Sequence, residues 1–235
     1  MSSSSRTFVL VHGGWHGGWC WRRVSDALGR RGHLVFAPTL TGLGERSHLL
    51  NAQVGLATHV RDIVNVLDWE DLRDVVLVGH SYAGCVVSGV AEHCLERLSA
   101  IIFLDAFVPE NGEALVDLAS DRVRETIEAA HRRGEIALAP YPSAYFNVGE
   151  GDRDWVDSKC TPHPIRSFMD KAVVTGARER IPTKVYIRAT GYPSARYDAT
   201  LARYRANPSW RTYEVPCGHD VMIDMPDRLV EMLIA

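Results

Sequence analysis

Ser81 stands in Gly79-His80-Ser81-Tyr82-Ala83-Gly84, directly after the apolar run Val75–Val78 and directly before an apolar stretch that reaches about Arg97. A serine on a sharp strand-to-helix turn is presented at the end of a sheet. The turn needs small flanking residues, or strand and helix collide. The spacing follows G-x-S-x-G, with Ala83 in the last glycine's place, a substitution small enough to fit. A serine there could equally be an ordinary helix N-cap, but the junction favours a nucleophile. A hydroxyl is a poor nucleophile until a base takes its proton. His219, in Cys217-Gly218-His219-Asp220 between the last strand and the last helix, is the candidate base. Among the other nine histidines, His12, His16 and His80 adjoin the same predicted pocket. His33, His48, His59, His93 and His131 read as surface or packing residues, and His163 lies in an inserted region.

The chemistry that serine and base perform makes a negative oxygen, which needs donors. His12-Gly13-Gly14-Trp15 follows the first strand directly, and backbone N–H groups in such a loop can face that oxygen. The amides of Gly14 and Tyr82 are assigned to this oxyanion hole. A phosphate loop is disfavoured: counted from Gly13, Trp15 occupies the second glycine of G-x-G-x-x-G, and no Gly-Lys-Ser/Thr follows. Metal catalysis is disfavoured as well. His12 and His16 are four apart in a glycine loop rather than on a helix, with no His-Glu-x-x-His and no cysteine cluster. Trp15 and Tyr82 are expected at the substrate pocket through their adjacency to the hole. Trp19, Trp21, Phe107, Tyr145, Phe146 and Trp155 are equally plausible as core.

The elements that must position these groups alternate. Short apolar runs at Thr7–Val11, Leu34–Ala37, Val75–Val78, Ala100–Asp105, Lys184–Ile187 and Trp210–Val215 read as buried strands. Helical spacing covers Trp19 to Gly32, Leu56 to Trp69, the stretch ending near Arg97, and Pro226 to Leu233, while Leu40 to Asn51 reads as a loop. This alternation implies an α/β class with parallel strands and helices on both faces of the sheet. Residues 108–181, rich in charge, proline and aromatics, interrupt it, with one helical piece from Leu115 to Arg132. They read as an inserted cap, leaving 1–107 and 182–235 as the core.

The chain has 235 residues, 46% of them hydrophobic and 23% charged, with 26 basic against 29 acidic residues and a net charge of −3. That length over a typical domain of ~150 residues suggests one domain with an insertion or two small ones. It is long enough to bury a core without staples, and the composition is that of a globular protein. The balance disfavours a nucleic-acid partner, which would need a basic excess. No apolar run approaches the ~20 residues of a membrane helix, and Met1–Arg6 lacks a signal peptide's plan. Five widely spaced cysteines without a C-x-x-C pair fit reduced thiols and a cytoplasmic location.

Phe8-Val9-Leu10-Val11-His12-Gly13, His16-Gly17-Gly18-Trp19, the Ser81 turn, Asp105-Ala106-Phe107-Val108-Pro109 and Gly218-His219-Asp220 together resemble the α/β-hydrolase superfamily, in its esterase and hydroxynitrile lyase branch. The resemblance spans nearly the whole chain and is weakest in the cap. It implies a sheet of about six strands lacking the fold's two leading strands. It also implies a Ser-His-acid hydrolase with no cofactor, acting on a small, largely apolar ester.

In that fold the acid usually follows the strand after the cap, where this chain has Ala189-Thr190-Gly191-Tyr192-Pro193-Ser194 and no carboxylate. Asp105, ending the strand before the cap, is the preferred acid. Asp198 is the fallback, read otherwise as a helix N-cap. The lyases of the branch resemble one another in a threonine at the place of Gly13 and a lysine after the histidine. Gly13 and Asp220 here lean toward hydrolysis, because a negative group opposes a departing cyanide. A cofactor-free lyase, a C–C bond hydrolase and a non-catalytic small-molecule receptor are the alternatives.

Overall fold

The computed structural model describes residues 5–235; the serine-rich start, Met1 to Ser4, lies outside the described residues. Six strands form one sheet: β1 (Thr7–Val11), β2 (Leu34–Phe36), β3 (Val75–His80), β4 (Leu98–Leu104), β7 (Thr183–Ala189) and β8 (Arg211–Val215). They lie in the order β2-β1-β3-β4-β7-β8, and every pairing is parallel. The six strands expected from the apolar runs are therefore all present. The runs were legible because strands covered on both faces need apolar residues at every position.

Alternation along each strand sorts side chains between two cores. Val9, Val11, Leu77, Ile101 and Phe103 share one face with α2 (Leu56–Trp69) and α3 (Ala83–Cys94). Phe8, Leu10, Val76, Val78, Ile102 and Leu104 share the other with α1 (Arg22–Arg30) and α10 (Pro226–Ile234). The chain runs from β1 outward to β2 and then returns to β3 on β1's other side. Strand order reverses there, so the loops after β1 and β3 diverge and leave a crevice at the carboxyl edge of the sheet. Gly13–Trp15 and Ser81 emerge at that crevice.

Several boundaries differ from the sequence expectation. The helix expected from Trp19 starts as a 3-10 turn, Gly18–Trp21, before α1. The loop at 40–51 contains another 3-10 turn, Gly44–Leu49. The helical piece at 115–132 is two helices, α4 (Leu115–Leu118) and α5 (Asp121–Arg132). Ala119 and Ser120 between them are extended, at ψ 164° and 155°, and Ser120 takes the N-cap position of α5, a place that suits serine. The rest of 108–181 contributes no strand to the main sheet. It holds a two-residue antiparallel pair, β5 (Ala137–Leu138) with β6 (His163–Pro164), and short helices α6 (Arg153–Lys159) and α7 (Ile165–Met169). After β7 come α8 (Ala195–Arg205) and, beyond β8, α9 (Val221–Asp224). Among the described residues no helix is long and apolar enough to cross a membrane.

Candidate active site

Ser81 has φ +53°, a left-handed conformation that a non-glycine residue adopts only when its surroundings fix it. They do so through the backbone: the Ser81 amide donates to Leu104 O at 3.2 Å, and the Phe107 amide donates to Ser81 O at 3.1 Å. The turn is tight enough that a Cβ on Gly84 would overlap the Phe107 carbonyl oxygen. One on Gly13 would stand 2.9 Å from Ser81 Cβ and 2.8 Å from His80 Nδ1. Glycine at both places is therefore a matter of space. Ala83, where a third small residue was expected, is fully buried in the first turn of α3.

His219 arrives from the opposite end of the chain, on the loop after β8. Its amide donates to Phe146 O at 2.9 Å, and His80 Nε2 donates to its carbonyl at 3.0 Å. The His219 ring stacks on Tyr197 at 5.6 Å and 10°, and on Phe146 at 5.5 Å and 27°. Its Nδ1 donates to Asp105 Oδ2 at 2.6 Å. Asp105 itself has φ +42° and is fully buried. Its Oδ1 accepts from Arg188 Nη1 at 3.0 Å and from the Ala189 amide at 3.1 Å. Asp198 lies elsewhere: it is in the first turn of α8, on the far side of Arg188, whose Nε donates to it at 2.8 Å. The N-cap of that helix is Ser194, not Asp198.

Gly14, Trp15, Ser81, Tyr82 and His219 all line one cavity of about 420 Å³. The amides of Gly14 and Tyr82 donate to no other group among the described residues. Trp15, at φ +64°, is tied by its amide to His163 Nδ1 at 3.2 Å and by its indole N–H to Leu138 O at 3.0 Å. The Tyr82 side chain turns into the core, where its hydroxyl donates to His59 Nδ1 at 2.8 Å. His59 and His163, read from sequence as packing and cap residues, are both buried and both pack on Tyr82. Phe107, Tyr145 and Phe146 also face the cavity, whereas Trp19, Trp21 and Trp155 do not line it. Tyr192 and Tyr197 were not singled out from sequence; they complete the wall beside His219.

Hydrogen bonds fix the charge of several histidines. His16 donates twice, from Nδ1 to Gly14 O at 2.7 Å and from Nε2 to Asp220 Oδ2 at 3.0 Å, so it is an imidazolium. Burial pulls it down, but Asp220 outweighs burial and raises it. Burial alone would raise Asp220, yet the His16 imidazolium bonded to it holds it far below the ordinary carboxylate range. This buried pair joins the Gly14 loop to the His219 loop. Asp220 was weighed from sequence only as a neighbour of the leaving group; its partner was invisible because the two are 204 positions apart. Among the described residues no cluster of three or more ligands could hold a metal ion.

Other histidines are neutral because burial outweighs any acid near them; Asp220 Oδ1 lies 3.7 Å from His80 Nε2, and burial still prevails there. Burial drives His12 down to about 3 and His59 down to about 4, and it lowers His80 and His163 strongly. Their unfolded forms protonate near pH 6.5. Stability from these groups is therefore full above that pH and lost as pH falls toward the folded values. At pH 5.5, His12 and His59 should each cost about 1.4 kcal/mol of unfolding free energy. His16, raised rather than lowered, contributes stability below pH 6.5 that is lost as pH rises through its folded value. Urea midpoints measured between pH 8 and 5 should fall steeply below 6.5, and a flat profile would contradict the neutral assignments.

A sequence profile described as the alpha/beta hydrolase family matches residues 8–232. The chain is 40% identical over 237 residues to a carbendazim hydrolyzing esterase of Nocardioides sp. (strain SG-4G), covering 97% of this chain and 98% of that one. A rice esterase (Oryza sativa subsp. japonica) is 25% identical over 99% of this chain and 96% of its own. Among solved structures, an extracellular alpha/beta-hydrolase from a Paenibacillus species superposes with a TM-score of 0.84 at 22% identity, covering 97% of this chain and 98% of that one.

Proposed function

The chain belongs to the alpha/beta hydrolase family, and from that footing we propose that it is a carboxylic ester hydrolase working through Ser81, His219 and Asp105. The observation that carries the reading is that Ser81 and His219 face one cavity while His219 Nδ1 donates to Asp105 at 2.6 Å. With Nδ1 committed as donor, Nε2 is the free lone pair, the one that can take the Ser81 proton. Ser81 Oγ attacks the ester carbonyl carbon. The carbonyl oxygen becomes negative between the Gly14 and Tyr82 amides, where one lost donor typically costs ~10²–10³ in rate. His219 then passes the proton to the departing alkoxide. The acyl group stays on Ser81 until water, deprotonated by the same imidazole, releases it.

The cavity suits a small, largely apolar ester. Its walls are Trp15, Phe107, Phe146, Phe168, Leu115 and Ile127, with tyrosines around His219. Residues 108–181 act as a cap on a core made of 1–107 and 182–235, supplying Leu115, Ile127, Tyr141 and Phe168 to the wall. The 40% identity to an esterase over nearly the full length of both chains supports ester cleavage in place of the lyase chemistry of the same branch. So does the crowding at Gly13, where a threonine's Cβ would press on His80 and Ser81. Five free thiols support a reducing, cytoplasmic setting.

A fluorophosphonate probe tests the reading. It should label the protein once, on the peptide carrying Ser81, and abolish p-nitrophenyl ester hydrolysis in proportion. Absence of an adduct on Ser81 would reject the nucleophile and favour a receptor on this scaffold.

A further inference from the structure

Arg188 is the penultimate residue of β7, with a side chain only 2% exposed. Each of its guanidinium nitrogens has an acceptor. Nη1 donates to Asp105 Oδ1 at 3.0 Å and to Ala189 O, Nη2 donates to Tyr192 O at 2.7 Å, and Nε donates to Asp198 Oδ1 at 2.8 Å. Burial opposes its charge, but Asp105 and Asp198 outweigh burial and push it up, so it is a fixed cation. A cation bonded to the acid of a triad draws on the negative charge that should stabilise the imidazolium. The reaction by itself gives no reason for it to be there.

Two features of the site supply the reason. Asp105 is fully buried, and a carboxylate whose only side-chain partner is a neutral imidazole would be an uncompensated charge. Its geometry is also underdetermined, because rotation about χ2 could carry either oxygen away from His219. Arg188, with the Ala189 amide, occupies Oδ1 and leaves Oδ2 facing His219 Nδ1. Asp198, whose side chain is 62% exposed, then restores the balance from outside. The group Asp198–Arg188–Asp105 carries one net negative charge, which the imidazolium balances when His219 takes the serine proton.

We propose that Arg188 and Asp198 are a positioning pair for the acid, Arg188 holding Asp105 in the orientation that His219 needs and Asp198 offsetting the charge Arg188 brings. The assignment rests on the Ser81–His219–Asp105 reading above. The other titratable groups facing His219 are Asp220 on its own loop, His80 at the end of β3, Tyr192 from the segment between β7 and α8, and Tyr197 from the first turn of α8. All of them are left in place by the variants below.

Three variants, Asp198→Asn, Arg188→Met and Arg188→Lys, are compared in the full-length protein by kcat and KM for a p-nitrophenyl ester across pH. Asp198→Asn removes a surface negative charge and keeps an acceptor for Nε. Its plateau kcat/KM should stay within about threefold of the parent. Its acid limb should move to lower pH by about half a unit, because the imidazolium that silences the base forms less readily. Arg188→Met removes the buried cation. Its kcat should fall about 10²-fold with KM nearly unchanged, the cost of a slightly misplaced base. Its acid limb should move the opposite way, to higher pH, by about one unit. Arg188→Lys keeps the charge but not the fork, so its acid limb should stay near the parent's while kcat recovers only in part.

Shifts of the same sign in Asp198→Asn and Arg188→Met, no shift in either, or a full kcat in Arg188→Met would overturn the proposal. If Arg188→Met does not fold, the downward shift in Asp198→Asn and the split between limb and kcat in Arg188→Lys decide it. A collapse of activity in Asp198→Asn beside a normal Asp105→Asn would instead overturn the triad reading itself, a distinguishable result.

Discussion

Replacing Ser81 by alanine should lower kcat for p-nitrophenyl ester hydrolysis by about 10⁴–10⁶, the range found when the nucleophile of a triad is removed. The residue that remains cannot form the acyl-enzyme, so only binding and the oxyanion amides are left to help water. Alanine should keep the turn, since serine already holds φ +53° there and the backbone bonds from Leu104 and Phe107 do not involve the hydroxyl. KM should change little. Turnover within tenfold of the parent would mean that ester cleavage occurs somewhere else. A circular dichroism melt run beside it separates lost chemistry from lost structure.

Asp105→Asn should cost about 10⁴ in kcat, as in the best-studied triad, and the surroundings of Asp105 say why. Arg188 Nη1 and the Ala189 amide both donate toward Oδ1. The carboxamide of an asparagine must therefore put its oxygen there and its NH₂ toward His219. A donor facing Nδ1 forces the proton of His219 onto Nε2, the nitrogen that must accept from Ser81. The base is then blocked by its tautomer with no change in packing. Asparagine tolerates positive φ well, so the +42° at this position costs the variant little. Asp198→Asn should stay within about threefold, since Asp198 touches Arg188 and not His219. Kinetics of the two variants side by side decide between the acids, and a severe loss confined to Asp198→Asn would reverse the assignment.

What was legible in the chain and what was not divides along physical lines. The six strands were readable because both faces of the sheet are covered, and continuous apolar runs such as Val75–Val78 leave few alternatives. The turn at Ser81 was readable because a serine between such a run and an apolar helix must sit on a tight turn. The reason for Gly13 and Gly84 is tertiary, since a Cβ on Gly13 would meet His80 and Ser81 and one on Gly84 would meet the Phe107 carbonyl. Residues 108–181 were read least well. Their elements are short, and at Ala119–Ser120 the chain breaks a helix that residue spacing alone would have continued. His59, which reads as a surface or packing residue, is buried with Tyr82 and Thr41 on either side of it, partners that its own helix does not reveal. Arg188 did carry a signal, a charge directly after the apolar residues Val185–Ile187, but an arginine near a strand end is usually solvated.

By itself, then, the sequence determined the α/β class and the order of strands and helices along the chain, and it singled out Ser81 and His219 as the candidate nucleophile and base, which line one cavity in the fold. These depend on local rules: which runs must be buried, and which turns only small residues can make. Only the tertiary structure decided which carboxylate meets His219, which histidines carry charge, and which side chains close the cavity. Those facts depend on strand register. Pairing Leu104 with Ile187 brings Asp105 beside Arg188 and Ala189. Charge inside a protein is set by partners that may come from anywhere in the chain, so no window of residues around Asp105, Asp198 or His16 contains the answer.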